Sequence, residues 1–274
     1  MGRLFGPAAK PDGPVLFGVA GWSYPDWKGI VYPAHCGDTL RAVASRVDLI
    51  EINSTFYAAP VARNCESWVR RTEEFQTWFT AKLPSPFTHE GSRSRSLAAE
   101  TRAGFAPLVA SGRCLGFLAQ FNHRFEFSPE NAAHVAALVG EFGRDAPLFV
   151  EVRHRSWNAP LAVATVADLG ATVAALDYPG AKGGFDADVP LSRSGLAYFR
   201  LHGRNPAWFR KGAGRDQVYD WEYSDAEVAE IRARIERISK SARRTAVVAN
   251  NHFHGKAMKL LEQLVEWYRK ETPG

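Results

Sequence analysis

Four side chains that carry protons or bind metals lie near the ends of short apolar runs in the sequence. They are Glu51, Glu151, Asp177 and His202. Two carboxylates in one partly buried site can act as general acid and general base, because burial shifts their proton affinity. Histidine exchanges protons near neutral pH. We therefore predict these four as catalytic residues, with proton exchange between Glu151 and His202 as the central step.

Cations, amides and aromatic rings follow the same runs and form a candidate substrate-binding set. Arginine and lysine suit phosphate or carboxylate groups, and aromatic rings stack on sugars or bases. The predicted binding residues are Trp22, Tyr24, Asn53, Lys82, His89, Gln120, Arg153, Arg200, Arg204, Asn250 and Asn251. This set favours a small anionic or sugar-like ligand.

The same residue types also permit a structural interpretation. The two glutamates can form ion pairs with Lys82, Arg153 and Arg200, and the histidine can be a hydrogen-bonded core residue. Aromatic rings pack in cores more often than they bind ligands. We expect at least one of the glutamates to be functional, because strand ends of an α/β barrel carry catalytic groups.

A divalent metal is an open alternative, although no cofactor is predicted. Glu51, Glu151, Asp177 and His202 form a carboxylate-rich set that suits zinc, manganese or magnesium. Three neighbouring cations can neutralise these carboxylates without a metal, however, and the chain has no H-E-x-x-H spacing. The sequence therefore favours a site without a metal.

Short β-rich runs alternate eight times with longer segments whose apolar residues recur at helical spacing. Alternation of this kind predicts parallel strands joined by helices. The predicted strands are Leu16–Ala20, Asp48–Asn53, Thr77–Leu83, Cys114–Gln120, Leu148–Arg153, Thr172–Asp177, Ala197–His202 and Thr245–Asn250.

The helices between these strands have clear start signals and apolar faces. Ser128 before Pro129 predicts an N-cap, and Ser224 with Glu227 predicts a capping box. No glycine-rich nucleotide loop follows the first strand, which argues against an open doubly wound sheet. We therefore predict an α/β fold with a single (β/α)8 barrel of the TIM type.

Alternation of side chains along each strand predicts which residues meet. Glu51 and Asn53 share one face of their strand, as do Glu151 and Arg153. Arg200 and His202 share a face in the same way. A barrel interior is normally filled by branched apolar side chains. Charges on inward faces therefore predict a shared polar mouth at the carboxyl ends of the strands.

Length and composition fit one globular domain. The chain has 274 residues, 46% of them hydrophobic, and a net charge of +5. We predict a flexible tail over residues 1–14 and a barrel domain over residues 15–274. The three cysteines are irregularly spaced and predict reduced thiols rather than a disulfide framework or a metal knuckle. No signal peptide or membrane span is predicted, so a cytoplasmic location is expected; no oligomeric state is predicted.

Several ordered motifs resemble those of the domain of unknown function 72 (YecE-like) family. They are Gly21-Trp22-Ser23-Tyr24, Glu51-Ile52-Asn53-Ser54-Thr55-Phe56-Tyr57, Glu151-Val152-Arg153-His154, Arg200-Leu201-His202-Gly203-Arg204 and Asn250-Asn251-His252. The resemblance runs from about Phe17 to Leu264. It implies a TIM-type barrel and assigns no activity.

Two classes of function fit these observations. The first is an enzyme with hydrolase-type acid–base chemistry on a phosphate-bearing or sugar-like anion. The second is a protein that binds nucleic acid or cleaves phosphodiesters, with basic loops along the backbone and aromatic side chains under the bases. The long loop from Gly203 to Tyr223, rich in both residue types, is predicted to be a lid over the mouth. A scaffold with a vestigial pocket is a further possibility.

Overall fold

Nine parallel strands form a single sheet in the computed structural model of the protein, which describes residues 14–179 and 194–271. Each strand hydrogen-bonds to neighbours with the same direction. The strands are β1 Val15–Ala20, β2 Leu49–Ile52, β3 Trp78–Lys82, β4 Cys114–Gln120, β5 Leu148–Glu151, β6 Thr172–Val173, β7 Ala175–Asp177, β8 Leu196–Leu201 and β9 Arg244–Ala249. All eight predicted strands are found, most within two residues of their predicted ends.

The ninth strand arises because the sixth predicted strand is divided. Its first part, β6, pairs with β5, and its second part, β7, pairs with β8. Ala174 lies between the two parts and donates its backbone N–H to the Val150 carbonyl at 2.9 Å. The two ends of the sheet are therefore consecutive in the chain, and the parallel sheet curls round into a barrel. The predicted TIM-type barrel is confirmed.

Helices connect the strands and pack outside the sheet. They are α1 Thr39–Ala44, α2 Ala62–Arg71, α3 Ser85–His89, α4 Arg95–Ala110, α5 Pro129–Phe142, α6 Pro160–Asp168, α7 Arg215–Val218, α8 Asp225–Lys240 and α9 Lys256–Glu271. Ser128 caps α5 by accepting from the Asn131 N–H, and the capping box at Ser224 starts α8. Both predicted start signals are confirmed.

Two separate groups of buried apolar residues divide the core. The larger lies between the sheet and the helices and includes the predicted stripe of α8, in which Ile231 and Ile235 are fully buried. The smaller fills the inside of the barrel and includes Leu16, Leu118 and Phe149. Towards the carboxyl ends of the strands, charged side chains replace the apolar filling.

The first described residue already takes part in the pairing of β1 with β9. The Pro14 carbonyl accepts a hydrogen bond of 2.7 Å from the Thr245 N–H. The predicted flexible tail otherwise falls on residues 1–13, which lie outside the described residues. None of the helices in the described part of the chain is long and apolar enough to span a membrane.

Candidate active site

Glu51 at the end of β2 forms a two-pronged ion pair with Arg200 from β8. The guanidinium donates from Nε to Oε2 at 2.9 Å and from Nη2 to Oε1 at 2.6 Å. The Tyr198 hydroxyl donates to the same Oε2 at 2.7 Å. Both ion-paired side chains are fully buried. Planar two-pronged contacts of this kind fix orientation as well as charge.

Glu151 at the end of β5 meets the other side of the same guanidinium. Its Oε2 accepts from Arg200 Nη1, and its Oε1 accepts from Arg153 Nε at 2.8 Å. His202 Nε2 lies 3.4 Å from Oε2. Arg200 therefore joins two carboxylates from opposite sides of the barrel, as side-chain alternation predicts. The ion-paired interpretation of both glutamates is the one that the structure shows.

The environment keeps both glutamates ionised. Burial by itself raises their pKa values, because the charged form loses water. Opposing charge outweighs burial: Arg200 and Lys82 hold the pKa of Glu51 below its usual value. Arg200, Arg153 and His202 hold the pKa of Glu151 well below its usual value. Neither carboxylate is therefore a ready proton donor at neutral pH.

His202 is held neutral between an amide and a carboxylate. Burial lowers its pKa to about 4. Asn250 Nδ2 lies 2.9 Å from His202 Nδ1, and His202 Nε2 lies 3.3 Å from Arg200 Nη1 and 3.4 Å from Glu151 Oε2. The ring also packs edge-on against Trp208. His202 thus has the contacts of a hydrogen-bonded core histidine that orients Glu151 and Asn250.

The side chains that meet at Arg200 form a charge cluster, called the cluster below: Glu51, Glu151, Lys82, Arg153, Arg200 and His202. Lys82, at the end of β3, differs from its other charged members. Its Nζ lies 3.9 Å from Glu51 Oε1 and 5.9 Å from the centre of the Phe56 ring. Among the described residues it donates no hydrogen bond at that atom, and 11% of its side chain is exposed. Burial, with Arg200 as the next cause, lowers its pKa to about 8.

A cavity of about 380 Å³ opens above Lys82 and is called the mouth cavity here. It is lined by Gly21, Trp22, Ser23, Tyr24, Asn53, Ser54, Phe56, Tyr57, Lys82, Tyr219, Asn250 and His252. Five of the predicted binding residues therefore share one cavity. Asn53 brings a buried Oδ1 atom that has no hydrogen-bond partner among the described residues.

The wall formed by the first loop depends on a glycine. Gly21 follows β1 with a φ of +78°, a value that favours glycine. A Cβ at this position would lie 2.6 Å from the Tyr24 hydroxyl oxygen. That hydroxyl donates to the Ala20 carbonyl at 2.6 Å, and the Tyr24 ring stacks on His252 with ring centres 4.2 Å apart. Contacts within the protein therefore hold this wall of the mouth cavity in place.

Asp177 and Arg204 lie outside this site, which corrects their predicted placement. Leu176 and Tyr178 take the inward positions of this strand and its extension, so Asp177 points outwards towards α8. Its carboxylate accepts from Arg204 at 2.8 Å and from the Tyr223 hydroxyl at 2.7 Å. Because the sixth predicted strand is divided, the outward orientation of Asp177 could not be predicted from the sequence.

The remaining predicted binding residues lie around the cluster rather than in the mouth cavity. Gln120 pairs in register with Glu151, and its buried Oε1 has no hydrogen-bond partner in the described part of the chain. His89 packs edge-on against Phe56 and lines a neighbouring cavity of about 590 Å³. Asn251 donates to the Trp221 carbonyl at 2.9 Å.

Several contributors to the site were not in the predicted set, among them Tyr198, Tyr219 and His252. Tyr198 precedes Arg200 by two residues and holds Glu51, and side-chain alternation along β8 was the signal that could have found it. Tyr219 and His252 line the mouth cavity from the last two loops. Their ring contact, with centres 4.8 Å apart, joins residues 33 positions apart and has no local sequence signal.

The carboxylate-rich metal set is not assembled. Arg200 lies between Glu51 and Glu151, and Asp177 faces the helices. In residues 14–179 and 194–271, no group of three or more His, Cys, Asp or Glu side chains is placed to hold a metal ion. The four side chains of the predicted set therefore do not form a common set of metal ligands.

Comparison with known proteins identifies relatives over nearly the whole chain. The profile of the family described as "Protein of unknown function DUF72" matches residues 16–273. The UPF0759 protein YunF of Bacillus subtilis (strain 168) is 23% identical over 276 residues, covering 95% of this chain and 96% of YunF.

Solved structures agree with the barrel. A DUF72 family protein from Thermotoga maritima MSB8 superposes with a TM-score of 0.82 at 29% identity, covering 94% of this chain and all of the other. A xylose isomerase domain containing protein from Salmonella typhimurium LT2 superposes with a TM-score of 0.55 at 12% identity, covering 93% of this chain and 96% of the other. The second likeness shows the fold alone.

Proposed function

The chain belongs to the DUF72 family, and from that premise we propose that it is an enzyme that binds a small anionic substrate in the mouth cavity. The substrate is phosphate-bearing or sugar-like. The observation that carries the proposal is the Lys82 ammonium group, which reaches this cavity with no hydrogen-bond partner among the described residues. A cation placed in this way is available to an anionic ligand.

The charge of the buried cluster supports an anion. Two carboxylates, Glu51 and Glu151, face three cations, Arg200, Arg153 and Lys82, while His202 is neutral. When Lys82 is protonated, one positive charge is left over. Burial strengthens the field of this charge, because little water is present to screen it.

The walls of the mouth cavity support a ring-shaped or sugar-like body. Trp22, Tyr24, Phe56, Tyr57 and Tyr219 supply aromatic surface around the charged floor. The unpartnered amide oxygen of Asn53 can accept a hydrogen bond from a hydroxyl group. Apolar surface with a few convergent polar groups is typical of small-molecule sites.

Acid–base chemistry in this proposal is assigned to Lys82. Glu151 accepts hydrogen bonds from two arginines, and the neutral His202 is hydrogen-bonded to Asn250. In this proposal both residues therefore hold their neighbours in position and do not transfer protons. Lys82 has a pKa of about 8 and contacts the cavity. The hydrolytic reaction expected from the sequence stays a prediction.

Calorimetric titration tests the proposal. Glucose 6-phosphate, glucose and inorganic phosphate are titrated into the protein and into the Lys82→Met variant. We expect the sugar phosphate to bind best, and the substitution to weaken it about tenfold or more, equivalent to about 1.4 kcal/mol. Lys259→Met is the matched control, because it removes the same charge from an exposed helix position. Equal affinity of Lys82→Met and Lys259→Met for the sugar phosphate contradicts the proposal. So does a lack of binding of these ligands to the wild-type protein.

The nucleic-acid alternative has one specific observation in its favour. The neighbouring cavity beside His89 is lined by Arg93 and Arg124 with a single carboxylate, Glu130. Repeating the titration with a short DNA duplex at about 50 and 200 mM salt separates the two functions, because duplex binding weakens steeply with salt. Tight, salt-sensitive duplex binding without small-ligand binding would replace the proposal by this alternative.

A further inference from the structure

The chemical setting of Lys82 points beyond ion pairing. We propose that Lys82 is a nucleophile whose Nζ forms an imine with the carbonyl carbon of the substrate. The substrate class then narrows to small anionic aldehydes and ketones, such as open-chain sugar phosphates. This inference rests on the proposed function for the binding of the anion, and it adds the covalent step.

The geometry leaves the amine free to react. Lys82 is the last residue of β3, so its backbone is fixed by the sheet, and its tip contacts the mouth cavity. Its Nζ is 3.9 Å from the nearest carboxylate oxygen, beyond hydrogen-bond distance. The amine is therefore not tied to Glu51 by a hydrogen bond, and its tip can turn towards a ligand in the mouth cavity.

Neighbouring cations increase the fraction of neutral amine. Burial and the positive charge of Arg200 disfavour a second buried cation, which is how lysine nucleophiles are activated in proteins. With a pKa of about 8, Lys82 is neutral in about a quarter of the molecules at pH 7.5. An ordinary lysine is neutral in about one molecule in a thousand.

The imine step balances within the site. The lone pair of the neutral Nζ forms a bond to the carbonyl carbon as the C=O π bond breaks. The carbonyl oxygen takes up two protons, one from the amine and the one that the ammonium group had released to solvent, and leaves as water while the C=N bond forms. The net change is from an ammonium group and a carbonyl to a protonated imine and water. No oxidant or reductant is needed. The protonated imine carries its positive charge where the ammonium group stood, and the ionised Glu51 carboxylate remains beside it as the counter-ion.

Three lysines of the last described helix lack this setting. Lys256 and Lys259 are ion-paired with Asp220 and Glu222, and the side chain of Lys259 is 61% exposed. Lys270 is 71% exposed on α9 and pairs with Glu266. The ion pair with Glu222 raises the pKa of Lys259, so this residue serves as an internal reference for the reactivity of Lys82.

Reductive trapping tests the proposal. The protein is incubated with glycolaldehyde phosphate at pH 7.5 and treated with sodium borohydride, whose hydride adds to the imine carbon and leaves a stable secondary amine. We expect one adduct by intact mass, located at Lys82 by peptide mapping. Lys82→Arg keeps the charge but forms no stable imine, so the adduct should be lost. Lys259→Arg should keep it.

Three outcomes separate this inference from the proposed function. Trapping spread evenly over exposed lysines overturns the imine at Lys82. Calorimetric binding of glycolaldehyde phosphate without any trapped adduct leaves the anion site in place and also overturns the imine. Absence of both binding and trapping removes the proposed function together with the inference. Circular dichroism of Lys82→Arg confirms that a lost adduct does not reflect unfolding.

Discussion

The charge of Glu51 holds a proton on Lys82, so Glu51→Gln should lower the pKa of this lysine. The two groups are 3.9 Å apart, and the Glu51 carboxylate is the larger of two attractions, with Glu151 as the second, that oppose burial and Arg200. At an effective dielectric constant of roughly 20, one unit charge at this distance corresponds to about 4 kcal/mol. This energy is equivalent to roughly a thousandfold change in the acid dissociation constant.

Brief labelling with acetic anhydride over a series of pH values measures the effect, because only neutral amines react. Mass spectrometry then gives the labelled fraction of the Lys82 peptide at each pH. In the wild-type protein we expect a midpoint near 8. In Glu51→Gln the midpoint should fall below neutral pH. Lys259 in the same digests supplies the reference, and Glu222→Gln is a control that removes a carboxylate from an exposed pair.

Breaking the buried pair also reduces stability, which the design must allow for. Removing one partner of a buried ion pair costs about 3 to 5 kcal/mol, and a domain is stable by about 5 to 15 kcal/mol. Circular dichroism therefore comes first. If Glu51→Gln does not fold, the wild-type protein still decides: a labelling midpoint of about 10.4, that of an ordinary lysine, would contradict a lowered pKa at Lys82. In a folded variant, an unchanged or raised midpoint would refute it as well.

Two further predictions concern the stability of the cluster. The pKa of His202 is about 4 in the folded protein and about 6.5 in an unfolded chain, so the unfolded state takes up the proton first as pH falls. The free energy of unfolding in urea should therefore fall by about 3 kcal/mol between pH 7 and pH 4, and His202→Gln should flatten this slope; an unchanged slope speaks against a neutral His202. Arg200→Lys should lose about 3 to 5 kcal/mol at pH 7, because one ammonium group cannot bridge two carboxylates. Arg102→Lys, in a partly exposed pair with Asp145, should lose much less stability by the same assay, and an equal loss in both variants would count against the bridge.

Most of the fold could be predicted from the sequence, because the signals for strands, helices and helix caps are local. The alternation of apolar runs and helical segments predicted β4 to the residue, and the caps at Ser128 and Ser224 were confirmed. The division of the sixth strand at Ala174 was not predictable in this way. It follows from a change of pairing partner between β5 and β8, which depends on closure of the whole barrel.

The candidate site shows the same contrast between local signals, which predicted its residues, and long-range contacts, which could not be predicted. Side-chain alternation within a strand brought Glu51, Glu151 and Arg200 together correctly, since inward positions repeat every second residue. The same rule failed for Asp177, because the irregularity at Ala174 places Leu176 on the inside. Which cation would be left without a hydrogen bond among the described residues was also not predictable. That property depends on ion pairs between distant strands.

The arrangement of the buried charges argues for a role beyond stability. Ion pairs inside a protein contribute little net stability, and well-packed apolar residues of similar size often do better. In this barrel Glu51, Glu151 and Arg200 fill the place where branched apolar side chains normally lie, and all three are fully buried. Their joint effect is to hold Lys82 near an aromatic cavity in a field that balances its two protonation states. Filling the interior of the barrel does not require a balance between the protonation states of Lys82. The labelling experiment measures this balance, and the trapping experiment measures the reactivity that follows from it.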